Sequence, residues 1–203
     1  MKKILQIMLC SLALSTAHGS TSLSSAVTAD NEFKEYLSSS LSLSGATLLN
    51  SGNSWGSDYI ANTSLSISSP AYLIIEAKNQ GGPGAILGSF SLSDANFQFG
   101  NGGQSIKTGD SGWTMYVGSL TSTPVSIVPE GLNGIDPWGN HPAIDANASW
   151  VWYYESAHPV WGSDLSTVYL VTTLTPANVP LPAAVWLMGT VLMGFLGLQR
   201  RKT

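Results

Sequence analysis

Two short glycine-flanked motifs contain a serine that could act as a nucleophile. Gly52-Asn53-Ser54-Trp55-Gly56 fits the pattern G-x-S-x-G, and Gly109-Asp110-Ser111-Gly112 has the pattern G-D-S-G. The first pattern is catalytic where a strand-turn-helix elbow lifts the serine above a sheet, but residues 58–67 have the composition of a strand. The second requires a histidine earlier in the chain, and the only earlier one, His18, falls in a segment predicted below to be removed. Both motifs are therefore predicted to form turns.

Oxygen-bearing side chains crowd into residues 136–147. Asp136, Asn140, Asp145 and Asn147 carry donors of the kind that calcium binds, but their spacing does not follow the EF-hand pattern. Solvated loop side chains are the simpler interpretation. A structural calcium ion held by Asp136, Asp145 and Asn147 is the alternative, and no other cofactor is predicted.

Histidines and paired carboxylates offer further chemistry. His141 and His158 each precede a proline, which favours extended or turn backbone at both positions. Zinc would require more ligands at fixed spacing, and the sequence has neither an H-E-x-x-H motif nor paired cysteines. Glu32 and Glu35 could be drawn as the two acids of a glycosidase, but the sequence does not determine the separation that this mechanism needs. No catalytic residue is predicted.

Tryptophans are the stronger functional lead, because six of the seven lie in residues 20–178, a segment with few charges. Sugars pack their C–H faces against aromatic rings, while amide, carboxylate and backbone groups bind their hydroxyls. Trp55 and Trp138 stand close to glycine and asparagine in predicted loops, so both are expected to be exposed. Together with Asn53 and Asn140, they are the candidate glycan-binding residues.

Short strands are the elements expected to carry these residues. Clusters of glycine, asparagine, serine and proline recur about every eight to twelve residues, which is typical of a β-sandwich or β-barrel. Residues 20–29 are rich in serine and threonine and are predicted to be a loose lead-in or a first edge strand, whereas Trp150 and Trp152 are expected in the core. We therefore predict an all-β fold, an antiparallel β-sandwich. The predicted strands are 32–37, 47–49, 63–67, 71–78, 86–92, 97–99, 113–117, 125–128, 150–154 and 168–174.

Residues 20–178 are predicted to be a single extracytoplasmic domain. All 12 acidic residues but only three of the eight basic residues lie there, so its net charge is −9. This balance lacks the basic footprint of a nucleic-acid-binding protein. The one cysteine, Cys10, precedes the domain, which excludes a disulfide or a thiolate metal site within it.

Residues 1–19 have the three parts of a signal peptide. Lys2 and Lys3 are basic, residues 4–14 are apolar, and Ala17-His18-Gly19 places small residues before a cleavage site at Ser20. The apolar run is too short to span a membrane. Export of the chain is therefore predicted.

Residues 179–203 also have three parts. Val179-Pro180-Leu181-Pro182 is unsuited to a helix interior, residues 183–198 are uncharged, and Arg200-Arg201-Lys202 is basic. A helix over 183–198 would span roughly 24 Å, close to a hydrocarbon core of about 30 Å. We predict one transmembrane helix over 183–198, with its basic end in the cytoplasm.

This tail, with Val179-Pro180-Leu181-Pro182-Ala183 ahead of the apolar run and Arg200-Arg201-Lys202 behind it, resembles the PEP-CTERM sorting signal of Gram-negative bacteria in its VPLPA variant. Leu181 stands where the name-giving motif has glutamate. The resemblance implies processing by an exosortase, which is a membrane-embedded cysteine transpeptidase. It also implies a precursor anchored in the inner membrane and then sorted to the cell surface or extracellular matrix.

Five motifs lie at predicted turns and strand ends of the domain: Ala29-Asp30-Asn31-Glu32-Phe33, residues 52–55, Gly81-Gly82-Pro83-Gly84, Pro137-Trp138-Gly139 and residues 144–152. Together they resemble the galactose-binding-domain-like modules, which are β-sandwiches of the jelly-roll group. The resemblance implies that fold and contact with glycans. It does not assign a binding site, because sites vary on a shared scaffold.

The function expected from the sequence is therefore that of an exported, non-catalytic surface or matrix protein that contacts exopolysaccharide. An adhesive or structural module that binds other proteins is one alternative, and a polysaccharide-active enzyme is a second.

Overall fold

Alternating apolar and polar residues form twelve strands in the part of the chain that the computed structural model describes, residues 20–65, 70–154 and 166–177. The strands form two six-stranded antiparallel sheets that pack as a β-sandwich, which confirms the predicted fold class. Their bounds are β1 Ser22–Asp30, β2 Glu32–Ser38, β3 Thr47–Gly52, β4 Tyr59–Ser64, β5 Ala71–Lys78, β6 Ala85–Leu92, β7 Phe97–Phe99, β8 Ser105–Lys107, β9 Thr114–Val117, β10 Ile127–Leu132, β11 Ser149–Tyr153 and β12 Thr167–Pro176.

The first sheet has the strand order β10-β11-β6-β1-β4, with β8 also pairing with β6. The second has the order β3-β2-β5-β12-β7, with β9 also pairing with β12. The chain passes from the first sheet to the second at Asn31, between β1 and β2. The sandwich interior is filled by apolar side chains of both sheets, among them Val27, Leu73, Ile75 and Leu170.

β1 is a central strand, so the prediction of a lead-in or edge strand over residues 20–29 is wrong. It pairs with β4 on one side and with β6 on the other. Its inward positions include Leu23, Val27 and Ala29, all of which lie in the core. Ser25 shares this inward face, whereas Ser22, Ser24 and Thr28 lie on the opposite face. Pairing with β4 and β6 satisfies their backbone groups, and the hydroxyls of Ser24 and Thr28 bond to chain segments distant in the sequence.

Most other predicted strands are present, with differences at their ends. β5 and β7 have the predicted bounds. β10 lies at a sheet edge and continues past Pro129, where a β-bulge lets the pairing with β11 proceed. β4 begins at Tyr59 rather than at residue 63, and the end of that predicted strand, at residues 66–69, lies outside the described residues.

A buried carboxyl group lies in the interior between the two sheets. Glu35 of β2 points inward with no exposed surface, and Ser25 Oγ of β1 donates to its Oε2 at 2.8 Å. Burial raises the pKa of Glu35 from 4.5 to about 7, while hydrogen bonds from Ser25 and Asn50 act in the opposite direction. Glu35 is therefore a titratable group that the core must accommodate.

The two ends of the described domain lie at the same end of the sandwich. Thr21 Oγ1 donates to Asp94 Oδ1 at 2.8 Å, and the Ala177 N–H donates to the Asn96 carbonyl oxygen at 2.8 Å. Asp94 and Asn96 both belong to the turn between β6 and β7. β1 leaves this end and reaches the opposite end at Asp30.

Replacing Gly112 with alanine is expected to lower the free energy of unfolding by at least about 2 kcal/mol. Gly112 has a φ of +96°, and a Cβ there would overlap the backbone nitrogen of Asn101. Gly118 has a similar φ of +75° but nothing within 4 Å of such a Cβ, so Gly118→Ala should cost only about 1 kcal/mol. Urea denaturation of both variants measures the difference, and equal losses would contradict the steric explanation.

The predicted terminal segments fall outside this description. The signal peptide over 1–19 and the sorting segment over 179–203, with its apolar run 183–198, lie beyond the described residues. Within residues 20–65, 70–154 and 166–177, no helix has the length and hydrophobicity needed to cross a bilayer.

Candidate functional site

Two loops meet over the outer face of the first sheet. One is residues 53–58, between β3 and β4, and the other is residues 133–148, between β10 and β11. Thr28 of β1 anchors the first loop, because its Oγ1 contacts the carbonyl oxygens of Ser54 at 3.4 Å and Trp55 at 3.1 Å. Asp30, two residues further along β1, anchors the second. Residues two apart on a strand share a face and lie about 7 Å apart, so the loops are neighbours.

Trp138 is buried, and the prediction that it is exposed is wrong. Only 6% of its surface is accessible, and its indole N–H donates to Asp30 Oδ2 at 2.9 Å. A tryptophan whose N–H has a partner can be buried without losing a hydrogen bond. Burial raises the pKa of Asp30, and the hydrogen bond from Trp138 opposes that shift. Because so little of its surface is accessible, Trp138 offers no free ring face to a sugar.

Trp138 belongs to an aromatic cluster that fixes the second loop to the sheet. Its ring stacks on Trp150 with centroids 4.8 Å apart, and His141 meets Trp150 edge-on at 5.3 Å. Small and aliphatic side chains of the sheet and loop complete the packing, among them Leu87 and Ile144. Trp150 is fully buried, and Trp152 is also buried, so the prediction that both are core residues is confirmed.

Asp58 joins the two loops. His141 Nδ1 lies 2.5 Å from Asp58 Oδ1, and the Ala143 N–H donates to Asp58 Oδ2 at 2.9 Å. A histidine bonded to a carboxylate resembles part of a catalytic triad, but His141 Nε2 is buried and has no hydrogen-bond partner among the described residues. The pair therefore acts as a clamp between loops. His158, the other predicted loop histidine, lies outside the described residues.

Asn133 holds the second loop in shape. Its side-chain N–H groups donate to the carbonyl oxygens of His141 at 2.9 Å and Ile144 at 3.0 Å, and its Oδ1 accepts from the His141 N–H at 2.8 Å. These bonds satisfy backbone groups that no strand pairs with. The second loop therefore has a defined conformation that its own hydrogen bonds hold.

Trp55 is exposed, as predicted, with 39% of its surface accessible. Asn53 and Asn140 are exposed too. The Asn53 N–H donates to the Tyr59 hydroxyl at 3.2 Å, which places Asn53 at a neighbouring groove of about 410 Å³ on the far side of its loop. Asn140 lies next to His141 on the second loop. Of the candidate aromatic residues, Trp55 alone combines exposure with an anchored backbone.

The side chains proposed as calcium ligands are exposed, and Asp145 stabilises a turn of the second loop. Asp145 Oδ1 accepts from the Asn147 N–H at 2.7 Å, a side-chain turn that needs no metal. Asp136 is exposed just before a cis peptide bond to Pro137. In residues 20–65, 70–154 and 166–177, no group of three or more His, Cys, Asp or Glu side chains could hold a metal ion. Calcium binding stays a prediction.

The two serine motifs form turns, as predicted. Residues 52–56 end β3 and continue into a loop followed directly by β4, so no helix presents Ser54. In the second motif Asp110 pairs with Lys107 at 3.0 Å and closes the turn after β8. Glu32 and Glu35 cannot work as a pair, because Glu35 points into the core while Glu32 Oε2 accepts from Gln80 at the surface.

Sequence reasoning missed Asp30 and Asp58, since their partners lie 108 and 83 residues away and no local pattern marks them. Comparisons of this chain with known protein families, with curated proteins and with solved structures find no match. Function must therefore be argued from the site and from the sequence.

Proposed function

We propose that the protein is an exported, non-catalytic component of the cell surface or extracellular matrix, and that its sandwich contacts exopolysaccharide through Trp55. The observation that carries the proposal is the exposed Trp55 ring on a loop whose backbone is tied to buried Thr28. An aromatic residue whose backbone is already held loses less conformational entropy when a sugar packs on its ring. Exposed Asn140 on the second loop offers an amide group for sugar hydroxyls, and Asn53 offers another at the neighbouring groove.

The position of the chain ends supports this role. Thr21 and Ala177 lie at one end of the sandwich, whereas the loop that carries Trp55 lies at the other, beyond the Val27–Tyr59 pair. The nine residues of β1 separate these ends by about 26 Å. A tail that starts after Ala177 and is anchored in the inner membrane would hold Trp55 away from that membrane.

The finer elements of the proposal come from the resemblances. The fold would be a galactose-binding-domain-like jelly roll, with which two antiparallel six-stranded sheets are compatible. Residues 1–19 would direct export, and an exosortase would process the tail that begins at Val179. The net charge of −9 on residues 20–178 argues against nucleic acid as a partner.

Trp55→Ala is expected to weaken binding to exopolysaccharide isolated from the producing cells by about 2- to 12-fold, because one aromatic contact contributes roughly 0.5–1.5 kcal/mol. Affinity electrophoresis of the purified protein measures this. Leu48→Ala removes an exposed apolar side chain on β3 and serves as the control. Equal binding by parent and Trp55→Ala would contradict the proposed contact, and self-association without glycan would favour the adhesive alternative.

Pro180→Ala combined with Pro182→Ala is expected to leave the full-length chain in the inner membrane, because the proposed processing enzyme would no longer recognise the segment. Membrane fractionation and immunoblotting of producing cells follow the product. Arg200, Arg201 and Lys202 remain in this variant, so its orientation should be unchanged. Normal processing of the double variant would contradict the sorting-signal proposal.

A further inference from the structure

A groove lined by serine hydroxyls together with apolar side chains runs over the outer face of the first sheet, below the clamp formed by Asp58 and residues 141–143. Its volume is about 360 Å³, and its floor is formed by β4, β1, β6 and β8. Ala143 and Asp145 of the second loop form one wall. Thr28, which holds the Trp55 carbonyl oxygen, lies two residues beyond the groove residue Ala26 on the same face of β1, so the loop that carries Trp55 adjoins this end of the groove.

Strand register arranges the floor of the groove in rows. Ser24 pairs with Asn62 of β4 and with Ser91 of β6, and Ser91 pairs in turn with Ser105 of β8. Neighbours in such a row lie about 4.8 Å apart, so the four residues span about 14 Å. The next row, nearer the clamp, contains Ile60, Ala26, Ser89 and Lys107.

The hydroxyls of this floor are only partly used by the protein. Ser24 Oγ donates to Asn62 Oδ1, and Ser89 Oγ accepts from the Asp145 N–H at 3.3 Å. Ser91 and Ser105 are exposed, and their hydroxyls make no hydrogen bond to any residue that the structure describes. A hydroxyl both donates and accepts, which matches a ligand that is itself rich in hydroxyls.

The charges at the groove disfavour an anionic ligand. Lys107 is paired with Asp110 at 3.0 Å, so its charge is largely compensated. Asp145, whose N–H donates to Ser89 Oγ beside Lys107, adds a further negative charge to the lining. Ile60, with 63% of its surface exposed, provides an apolar contact for the C–H face of a sugar.

We propose that this groove is a second binding subsite, which takes an extended, neutral polysaccharide chain, and that the same chain continues past the clamp to Trp55. The proposal rests on the proposed function, because it assumes that Trp55 contacts a glycan. It adds two points to that function. The ligand is a neutral polymer, and Ser91 and Ser105 form a second region that contacts it. Several sugar rings must be bound at once, so short oligosaccharides are expected to bind at least tenfold more weakly than the polymer.

The test uses the full-length protein and isothermal titration calorimetry with three neutral polymers, namely dextran, hydroxyethyl cellulose and galactomannan, and with anionic alginate. The double variant Ser91→Glu/Ser105→Glu places two charges in the groove and is expected to weaken binding to the neutral polymer at least tenfold. Ser39→Glu/Ser44→Glu adds the same charges at exposed positions between β2 and β3 and should stay within twofold of the parent. Circular dichroism and the Tm confirm that both variants fold.

The outcomes separate the groove from Trp55. If the groove variant binds like the parent while Trp55→Ala binds more weakly, the groove proposal is overturned and the proposed function stands. Binding to alginate in preference to all three neutral polymers, or to none of the four, also overturns the groove proposal. If isolated exopolysaccharide fails to bind as well, the proposed function is overturned with it.

Discussion

Replacing Trp150 with alanine is expected to lower the free energy of unfolding by about 3–5 kcal/mol, the largest loss expected from a single side chain here. Trp150 is fully buried and is contacted by the rings of Trp138 and His141. Its indole nitrogen has no hydrogen-bond partner among the described residues, so the loss comes from packing and from the cavity left behind. Urea denaturation of the purified protein measures the change.

Trp55→Ala is the matched control, because it removes the same side chain from an exposed position of the adjoining loop. Trp55→Ala should lower the free energy of unfolding by about 1 kcal/mol or less. Trp150→Phe should cost less than Trp150→Ala, since it keeps an aromatic ring in the stack and removes the unpartnered N–H. If Trp150→Ala is no more destabilising than Trp55→Ala, the aromatic cluster does not hold the second loop to the sheet.

The loss of stability in Trp150→Ala should extend to the two loops, residues 53–58 and 133–148. His141 packs on Trp150 and contacts Asp58, which lies on the loop that carries Trp55. Removing Trp150 therefore weakens the support of the Trp55 loop without touching Trp55 itself. Limited proteolysis under native conditions should cut residues 133–148 faster in Trp150→Ala than in Trp55→Ala.

Glu35 is expected to make the protein less stable as the pH rises from about 4.5 to 7. The unfolded chain releases the Glu35 proton near pH 4.5, whereas burial keeps it bound in the folded protein until about pH 7. The stabilisation is therefore fully present below pH 4.5 and is lost as the pH passes 7. The difference between the two pKa values of Glu35 corresponds to a change of roughly 3 kcal/mol in the free energy of unfolding.

Glu35→Gln removes this titration and should flatten the pH dependence over that interval. The free energy of unfolding is measured by urea denaturation at about pH 3.5, 6 and 8, values that bracket both pKa values. Asp30, whose pKa burial also raises, is unchanged in the variant, so the difference from the parent isolates Glu35. Glu32→Gln keeps Glu35 and should retain the decline. Parallel pH curves for the parent and Glu35→Gln would show that Glu35 does not hold its proton in the folded state.

Local patterns predicted most strands because strand alternation and turn residues act over a few positions. Ala71–Lys78, the most apolar of the predicted strands, has the predicted bounds. β1 was mispredicted as a lead-in or an edge strand because its many serines and few large apolar residues suggested weak pairing, and only pairing with both β4 and β6 makes it central. Predicted strand ends shifted for the same reason, since pairing partners decide where a ladder stops.

The candidate site was predictable only in part. Glycine and asparagine around Trp55 indicated an exposed loop, and the structure confirms the exposure. Similar neighbours around Trp138 gave the same indication, which was wrong because Asp30 accepts its N–H and Trp150 stacks on its ring. Both partners come from strands of the first sheet, and no local pattern in the sequence connects them to Trp138.

Sequence alone was enough to establish that the segment 20–178 is acidic and contains no cysteine, and to predict the all-β antiparallel fold with most of the strands that the described chain forms. These properties depend on composition and on neighbours a few residues apart. Tertiary contacts were needed to establish which tryptophan is exposed, that Asp58 clamps two loops, and that Glu35 is buried. Each of these depends on strands and loops far apart in the chain, and burial, stacking and pKa shifts arise only when folding brings such groups together.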